Sequence, residues 1–260
     1  MKISEAKLRQ LISEEVKRII EAASSLKPED KFSSKISSLN LDPEFVEIVS
    51  TVKKLEDKIK KSLDIDSSTL GLLLVAAISV SGRESSYGKG KRYQWTSWAE
   101  TLASEYGIKD MSIGPTQIKY GENFGPKSDL SKYGKDVDIQ SPTSLSEYPK
   151  AIMATIGILS KLYKKALSLG YTKESGKASK SFKSTGNAAL DLALIGYNMG
   201  DSKVTNYCGN DQIKKPCPLN SDNIVKNYIP NFVDGSLSSL GYVSEVSSDM
   251  LKFIRITSLF

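Results

Sequence analysis

The sequence of 260 residues contains no histidine and only two cysteines. Without histidine the chain has no Ser-His-Asp triad, no Cys-His pair and no histidine ligand for a metal. The two cysteines, Cys208 and Cys217, are too few for a thiolate zinc site. We therefore expect neither a metal centre nor a cofactor.

Phosphate-binding signatures are missing as well. The sequence has no Gly-x-x-x-x-Gly-Lys-Ser/Thr loop and no Gly-x-Gly-x-x-Gly fingerprint, so nucleotide and dinucleotide binding have no support. The chemistry that remains is that of carboxylates, hydroxyls, amides and backbone groups. Glycoside cleavage is a large reaction class that needs little more than these.

The chain is basic, with a formal net charge of +6 and an isoelectric point near 9.0. Such a charge favours anionic surroundings: nucleic acid, an acidic membrane face or an anionic cell wall. No dense arginine cluster or RNA-binding signature is present, so we expect no nucleic-acid partner. The longest apolar run, Leu70 to Val80, is too short to cross a bilayer, so we expect no membrane insertion.

The N-terminal 23 residues lack the continuous apolar core and small-residue cleavage site of a secretory signal. Their apolar residues fall at helical spacing instead, which predicts an amphipathic helix that docks on the protein or on a partner. Residues 24–41, rich in Ser, Lys, Pro and Asp, are predicted to be a linker. The predicted organisation is an N-terminal helical region with linker over residues 1–65 and one larger domain over residues 66–260.

Helical periodicity dominates the rest of the chain, and no alternating strand pattern of any length occurs. Residues 88–147 are irregular, with room for one short β-hairpin. The fold class predicted is therefore mainly α. The predicted helices are Pro43 to Leu63, the buried run Leu70 to Val80, Tyr148 to Leu169, Ala188 to Tyr197, Asp222 to Tyr228, and Val243 to Leu259 with Val246, Met250, Ile254 and Leu259 facing inward.

Glu84 follows the buried run and precedes small polar residues and Gly88. A carboxyl group at the end of a buried helix, opening onto a cleft, is partly removed from water. Its pKa is then raised, so it can stay protonated near neutral pH and act as a general acid. The alternative is an exposed glutamate after a helix end.

Three motifs follow one another along the chain: Glu84-Ser85-Ser86, then Ser112-Ile113-Gly114-Pro115-Thr116-Gln117-Ile118, then Ala193-Leu194-Ile195-Gly196-Tyr197-Asn198-Met199-Gly200. Together they resemble the catalytic domain of soluble lytic transglycosylases and the related goose-type lysozymes. The patterns of that family are Glu-Ser, Gly-Leu-Met-Gln and Ala-Tyr-Asn-x-Gly. Lys226-Asn227-Tyr228-Ile229 resembles its later tyrosine-bearing helix. The resemblance spans roughly residues 70–230, with Pro-Thr in place of Leu-Met and Gly196 before the tyrosine.

The resemblance implies a lysozyme-like helical domain that cleaves the β-1,4 bond between N-acetylmuramic acid and N-acetylglucosamine in peptidoglycan. Glu84 is then the general acid, protonating the glycosidic oxygen. The side chains expected to bind substrate are Ser85, Gln117, Tyr197, Asn198, Tyr228, Tyr93, Trp95 and Trp98. For each there is a structural alternative: a buried amide at Gln117, a core phenol at Tyr197, a helix cap at Asn198 and packing for the other aromatics.

Whether a second carboxylate takes part decides the product. Inverting hydrolysis needs a second carboxylate about 6.5–9.5 Å from the acid. The candidates are Asp110, Glu105 and Glu100, with Asp110 preferred. Lytic transglycosylases need one acid, because the C6 hydroxyl of the sugar attacks and closes a 1,6-anhydro ring. We favour the transglycosylase over the hydrolase; a non-catalytic glycan-binding or phage virion module is the rival from another class.

An enzyme of this kind acts in the periplasm or cell wall, and without a signal peptide it is expected to arrive there by another route, such as delivery in a phage virion or through a holin. We expect it to act as a monomer. Cys208 and Cys217 are predicted to form a disulfide if the protein works outside the cytosol, and to remain two thiols otherwise.

Overall fold

The structure is a computed structural model that describes residues 28–90, 112–169, 171, 183–200 and 236–260. The predicted N-terminal amphipathic helix, the predicted helix Asp222 to Tyr228 and both cysteines lie outside these residues. The chain divides into two compact units, Met1–Val46 with Leu259 and Glu47–Ser258 with Phe260. The predicted boundary between an N-terminal region, residues 1–65, and a larger domain, residues 66–260, stays a prediction.

The described part of the first unit holds helix α1, Pro28–Ser37, and the start of α2, Pro43–Lys54. The prediction of a linker over residues 24–41 is therefore wrong for residues 28–37. Proline at the first position of a helix is favourable because its fixed φ suits the first turn. Within α1, the Ser37 hydroxyl finds its hydrogen-bond partner in the helix itself, because Ser37 Oγ donates to the Ser33 carbonyl at 2.9 Å.

The predicted single helix from Pro43 to Leu63 is two helices. It begins at Pro43 as predicted, but α2 ends at Lys54 and α3 covers Glu56–Leu63. At the break the Leu55 amide is shared between the carbonyls of Thr51 and Val52, at 3.2 Å from each. Glu56 accepts a hydrogen bond from Ser67 Oγ at 2.6 Å, which ties the start of α3 to the start of the next helix.

Helix α4, Ser67–Ser85, is the centre of the larger unit. Asp66 caps its start by accepting a hydrogen bond from the Thr69 amide at 2.6 Å, a contact typically worth about 1 kcal/mol. Every residue from Leu73 to Ser81 is buried, which confirms the prediction of a core helix. A helix that is apolar on all sides must be covered by other parts of the chain, and two long helices pack directly on α4.

The described part of this unit contains three more long helices. Helix α7 covers Tyr148–Ser168, α8 covers Ala188–Met199 and α9 covers Ser236–Phe253. Helices α7 and α9 both pack on α4, and α8 packs on both of them. After α9 a 3₁₀ helix, Ile254–Leu259, continues the chain. Val246, Met250 and Leu259 are buried as predicted, but Ile254 is 44% exposed. The prediction for Ile254 is wrong because α-helical spacing ends at Phe253.

A small hairpin follows the gap after α4. Strand β1, Ser112–Ile113, pairs antiparallel with β2, Ile118–Lys119, with Ser112 opposite Lys119 and Ile113 opposite Ile118. The chain between the hairpin and α7 forms helix α5, Tyr120–Asn123, helix α6, Ser131–Asp136, and a 3₁₀ helix, Pro142–Ser146. The described part of the chain is thus mainly α with one two-stranded sheet, as predicted.

The turn of the hairpin requires glycine at position 114. Gly114 has φ +75°, and a Cβ there would lie 2.0 Å from the Leu145 carbonyl oxygen. The close approach presses the turn against the 3₁₀ helix, which fixes where Gln117 lies.

Among the helices in the described ranges, none is by itself long and apolar enough to cross a membrane; one pair, Glu56–Leu63 with Ser67–Ser85, meets the length and composition criteria together but is bent by 98°.

Candidate functional site

The end of α4 presents Glu84 at the penultimate position of the helix. Its neighbour Ser85 is buried and holds the turn that follows: Ser85 Oγ donates to the Ser81 carbonyl at 3.0 Å and accepts from the Gly88 amide at 2.7 Å. Ser85 is not among the side chains that line the cleft described next. Glu84 is only partly buried and faces that cleft.

The cleft has a volume of about 480 Å³, within the usual range of ligand-binding clefts. It brings together residues from all three sequence motifs, on α4, the hairpin and the end of α8. Its lining is Glu84, Ser112, Gln117, Ile118, Lys119, Glu122, Asn123, Ile158, Lys161, Leu162, Gly196, Tyr197, Asn198, Met199 and Gly200. Four of the predicted site residues, Glu84, Gln117, Tyr197 and Asn198, therefore share one cavity.

The carboxyl group of Glu84 has a raised pKa. Burial is the main cause, because it penalises the charged form, while the hydroxyl of Tyr242 and the charge of Arg83 lower the pKa part of the way back. The predicted placement of this acid is confirmed: it lies at the end of a buried helix and on a cleft. A carboxyl group in that environment can give up a proton to a bound substrate at a pH where a solvated glutamate has already lost it.

Tyr242, on α9, is a site residue that sequence reasoning missed. It is 3% exposed, and its hydroxyl lies close enough to Glu84 to lower the pKa of that carboxyl without completing a hydrogen bond. Burial and the charge of Glu84 raise the pKa of the phenol well above its usual value. The Arg83 guanidinium lies 5.9 Å from the centre of its ring. The last helix predicted from the sequence begins at Val243, one residue after Tyr242, and so does not include this tyrosine.

Gln117 lies in the hairpin turn with φ +56°. Its side-chain Nε2 donates to the Gly114 carbonyl at 3.1 Å, and its backbone amide donates to the same oxygen at 3.0 Å. The amide of Gln117 therefore satisfies a backbone group, as the structural alternative proposed, and also lines the cleft as predicted. The hydrogen bond fixes the orientation of the side chain toward the cavity.

Tyr197 and Asn198 end helix α8 on the same cleft. The Tyr197 hydroxyl donates to the Thr116 carbonyl at 2.7 Å, which joins α8 to the hairpin turn. Burial raises the pKa of this phenol, and the charge of Glu84 adds to the effect. Asn198 is exposed and lies inside the helix, so it is not the helix cap, a position that Gly200 occupies with φ +100°.

A charged wall of the cleft is formed by Lys119, Glu122 and Lys161. Lys119 Nζ lies 3.4 Å from Glu122 Oε1, and Lys161 Nζ lies 3.4 Å from Asp129 Oδ2. Glu122 is exposed, in contrast to Glu84. Sequence reasoning missed this wall because its residues fall in the irregular stretch 88–147, or, for Lys161, on the polar face of a long helix.

The remaining predicted site residues lie outside the described ranges: Tyr93, Trp95, Trp98, Asp110 and Tyr228, together with Glu100 and Glu105. Their predicted roles stay predictions. In the part of the chain that the structure describes, no group of three or more His, Cys, Asp or Glu residues is arranged to hold a metal ion.

Comparison of the chain with protein-family models, with curated proteins and with solved structures found no match. The geometry of the cleft and the chemistry of its side chains therefore indicate what this protein can do.

Proposed function

We propose that this protein is a peptidoglycan lytic transglycosylase that cleaves the β-1,4 bond between N-acetylmuramic acid and N-acetylglucosamine, with Glu84 as its general acid and base. The observation that carries the proposal is the partly buried carboxyl of Glu84, whose pKa is raised, in one cleft with Gln117, Tyr197 and Asn198. The order of the three motifs along the chain supports the same reaction.

In the proposed reaction, protonated Glu84 gives its proton to the glycosidic oxygen as the bond from that oxygen to C1 breaks. The N-acetylglucosamine leaves with a free 4-hydroxyl, and C1 of the muramyl sugar takes on oxocarbenium character. The C6 hydroxyl of the same sugar then attacks C1 and forms the 1,6-anhydro bond. Its proton passes to the Glu84 carboxylate, which restores the acid, and no water is consumed.

The neighbouring side chains have roles consistent with this sequence. Tyr242 stabilises the carboxylate that Glu84 becomes between the two steps, since its hydroxyl lowers the pKa of that carboxyl. Gln117 and Asn198 offer amide donors and acceptors to the sugar hydroxyl and acetamido groups. Tyr197 fixes the distance between the hairpin turn and α8 through its bond to Thr116.

Inverting hydrolysis is the second candidate, and one observation favours it: Glu122 is a second carboxylate on the lining of the same cleft. In that reaction Glu122 would activate a water on the opposite face of the sugar. The transglycosylase is preferred because Glu122 is exposed and paired with Lys119, the common state of a solvated surface carboxylate.

Mass spectrometry of digested peptidoglycan tests the proposal. Purified protein should release muropeptides that end in 1,6-anhydro-N-acetylmuramic acid. Products with a reducing end, heavier by one water, would assign the hydrolase instead. Intact glycan strands after prolonged incubation would support the non-catalytic module.

Two matched variants test whether any observed cleavage depends on the cleft. Glu84→Gln should release no products, whereas Glu147→Gln should match the unchanged protein. Glu147 is an exposed glutamate that pairs with Lys150 at 3.0 Å and lies outside the cleft lining.

A further inference from the structure

The turn that follows Glu84 holds two consecutive non-glycine residues in the left-handed region. Ser86 has φ +51° and Tyr87 has φ +61°. Each such residue costs of order 1–3 kcal/mol and persists only where the surrounding structure enforces it. Something must therefore hold Tyr87 in place.

The backbone of this turn is closed by the Tyr87 amide, which donates to the Ser81 carbonyl at 3.1 Å, and the side chain of Tyr87 is held from α9. The Tyr87 hydroxyl donates a hydrogen bond to Asp249 Oδ2, and the ring meets Phe253 edge-on with centroids 6.0 Å apart. Lys252 Nζ lies 2.5 Å from the other oxygen of Asp249, whose side chain is only 15% exposed. Both oxygens of this carboxylate are thus engaged.

Helix α4 has a glycine, Gly82, where Tyr87 and Asp249 pack against it. A Cβ at Gly82 would lie 2.7 Å from Tyr87 Cζ and 2.8 Å from Asp249 Oδ2, closer than any side chain tolerates. The phenol and the carboxylate therefore lie against the bare backbone of α4, two residues before Glu84. Arg83 pairs with Glu245 and ties the same two helices together a second time.

This arrangement sets the position of Glu84 relative to Tyr242, because α9 carries both Tyr242 and Asp249. We propose that Tyr87 and Asp249 form a clamp, closed over Gly82, that positions Glu84 against Tyr242 at the wall of the cleft. Neither residue of the clamp touches the cleft, so each acts through Glu84 as a positioning residue. The inference rests on the proposed function for its catalytic consequence, and on the geometry alone for its effect on Glu84.

The groups that face Glu84 come from several elements. Tyr242 approaches from α9, Tyr197 from α8 and Arg83 from α4 itself. Lys119, Glu122 and Lys161 line the same cleft. Loosening the clamp changes the contact between Glu84 and Tyr242 and admits water beside the Glu84 carboxyl. Because burial is the main cause of its raised pKa, we expect the pKa of Glu84 to fall toward that of a solvated glutamate.

Two variants and one control test the clamp: Tyr87→Phe removes only the hydroxyl, Asp249→Ala removes its partner, and Ser248→Ala alters the residue next to it, whose hydroxyl bonds within α9 at 2.8 Å. Carbon-13 NMR of glutamate-labelled protein follows the Glu84 carboxyl, identified by the signal missing in Glu84→Gln. We expect the midpoint of Glu84 to fall in both clamp variants and to stay unchanged in Ser248→Ala.

Turnover of a soluble glycan supplies the second readout. We expect kcat to fall roughly three- to tenfold in the clamp variants with KM within twofold, because the substrate still binds but the acid is misplaced. An unchanged midpoint and an unchanged kcat in folded Tyr87→Phe would overturn the proposal, even if its melting temperature falls. Tyr87→Phe keeps the ring and its contact with Phe253, so it decides the matter if Asp249→Ala does not fold.

The two proposals fail separately. If the unchanged protein cleaves no glycan, the proposed function is wrong, and the NMR midpoints alone then support or overturn the clamp. If the protein cleaves glycan while neither midpoint nor kcat responds to the variants, the clamp is wrong and the proposed function stands.

Discussion

Glu84 and Glu122 are two glutamates that line one cleft, and their surroundings differ in almost every respect. Glu84 ends a helix whose core residues are fully buried, and it faces a buried phenol; burial raises its pKa. Glu122 lies on the four-residue helix α5, exposed and paired with a lysine three positions before it. The same functional group is thus partly shielded from water at Glu84 and exposed to water at Glu122.

The difference shows that the scaffold, and not the residue type, sets the environment of each carboxyl in this cleft. A carboxyl that is partly desolvated can carry a proton to a leaving group, whereas a carboxylate at the surface, paired with a lysine, lacks that burial. An exposed ion pair contributes only about 0–1 kcal/mol, so the pair of Glu122 and Lys119 is free to rearrange around a ligand. Five experiments sharpen or break this contrast.

The largest effect is expected from Glu84→Gln. Loss of a general acid typically costs about 10²–10⁴-fold in rate, and in the proposed reaction the same group also serves as the base. Product release measured by chromatography of digested peptidoglycan should fall by at least the lower of these factors, with an unchanged far-ultraviolet circular dichroism spectrum. Retained activity would remove Glu84 from its central role.

Gly114→Ala should damage the hairpin turn that carries Gln117. The new Cβ would meet the Leu145 carbonyl, and alanine disfavours the positive φ of this position, so we expect a loss of about 2 kcal/mol, or roughly 4–8 °C in Tm. Calorimetry measures it. Gly121→Ala is the matched control, because a Cβ there meets nothing within 4 Å; equal losses in both variants would contradict the argument.

Tyr242→Phe should move the pH profile of the reaction. The Tyr242 hydroxyl lowers the pKa of Glu84, so its removal raises that pKa further. Because the acid must start protonated, the fall in rate on the alkaline side should shift to higher pH, with kcat reduced by about tenfold or less. A rate profile from pH 4 to 9 measures the shift. Tyr120→Phe, outside the cleft lining, should leave the profile in place.

Glu84→Gln should also stabilise the protein at neutral pH and above. Since the folded pKa of Glu84 is raised, the stability that its protonated form contributes is present at low pH and is lost as pH rises through the folded pKa. Glutamine never ionises, so the variant should melt roughly 1–3 °C above the unchanged protein at pH 8 and equally at pH 4. Scanning calorimetry at both values checks it; a variant less stable at pH 8 would mean that Glu84 is not desolvated.

The smallest effect is expected from Glu122→Gln. If the reaction uses one acid, this substitution removes an exposed ion pair, worth about 0–1 kcal/mol, and kcat should change by less than about twofold. Kinetics on a soluble glycan measure it. A loss of a hundredfold or more would make Glu122 the base of an inverting hydrolase and would reverse the contrast with Glu84.

The core and the acid could be predicted from sequence, because each depends on local pattern. An unbroken apolar run is typical of a buried helix, and Glu84 follows it directly, so both were placed correctly. Gln117, Tyr197 and Asn198 lie on the cleft as predicted. The break at Leu55, helix α1 within the predicted linker and the exposure of Ile254 were not predicted, since capping and packing override composition at such positions.

By itself, the sequence determined where the long apolar helices lie, which of them is central and which carboxyl lies near its end, because these follow from apolar spacing within a short window. Only the tertiary structure decided that Tyr242 and Glu122 join that carboxyl, as both come from elements distant along the chain. The clamp over Gly82 has the same origin: it needs a tyrosine in the turn after α4, an aspartate on α9 and the space left by a missing side chain. Contacts of that kind depend on how helices pack, which no local pattern encodes.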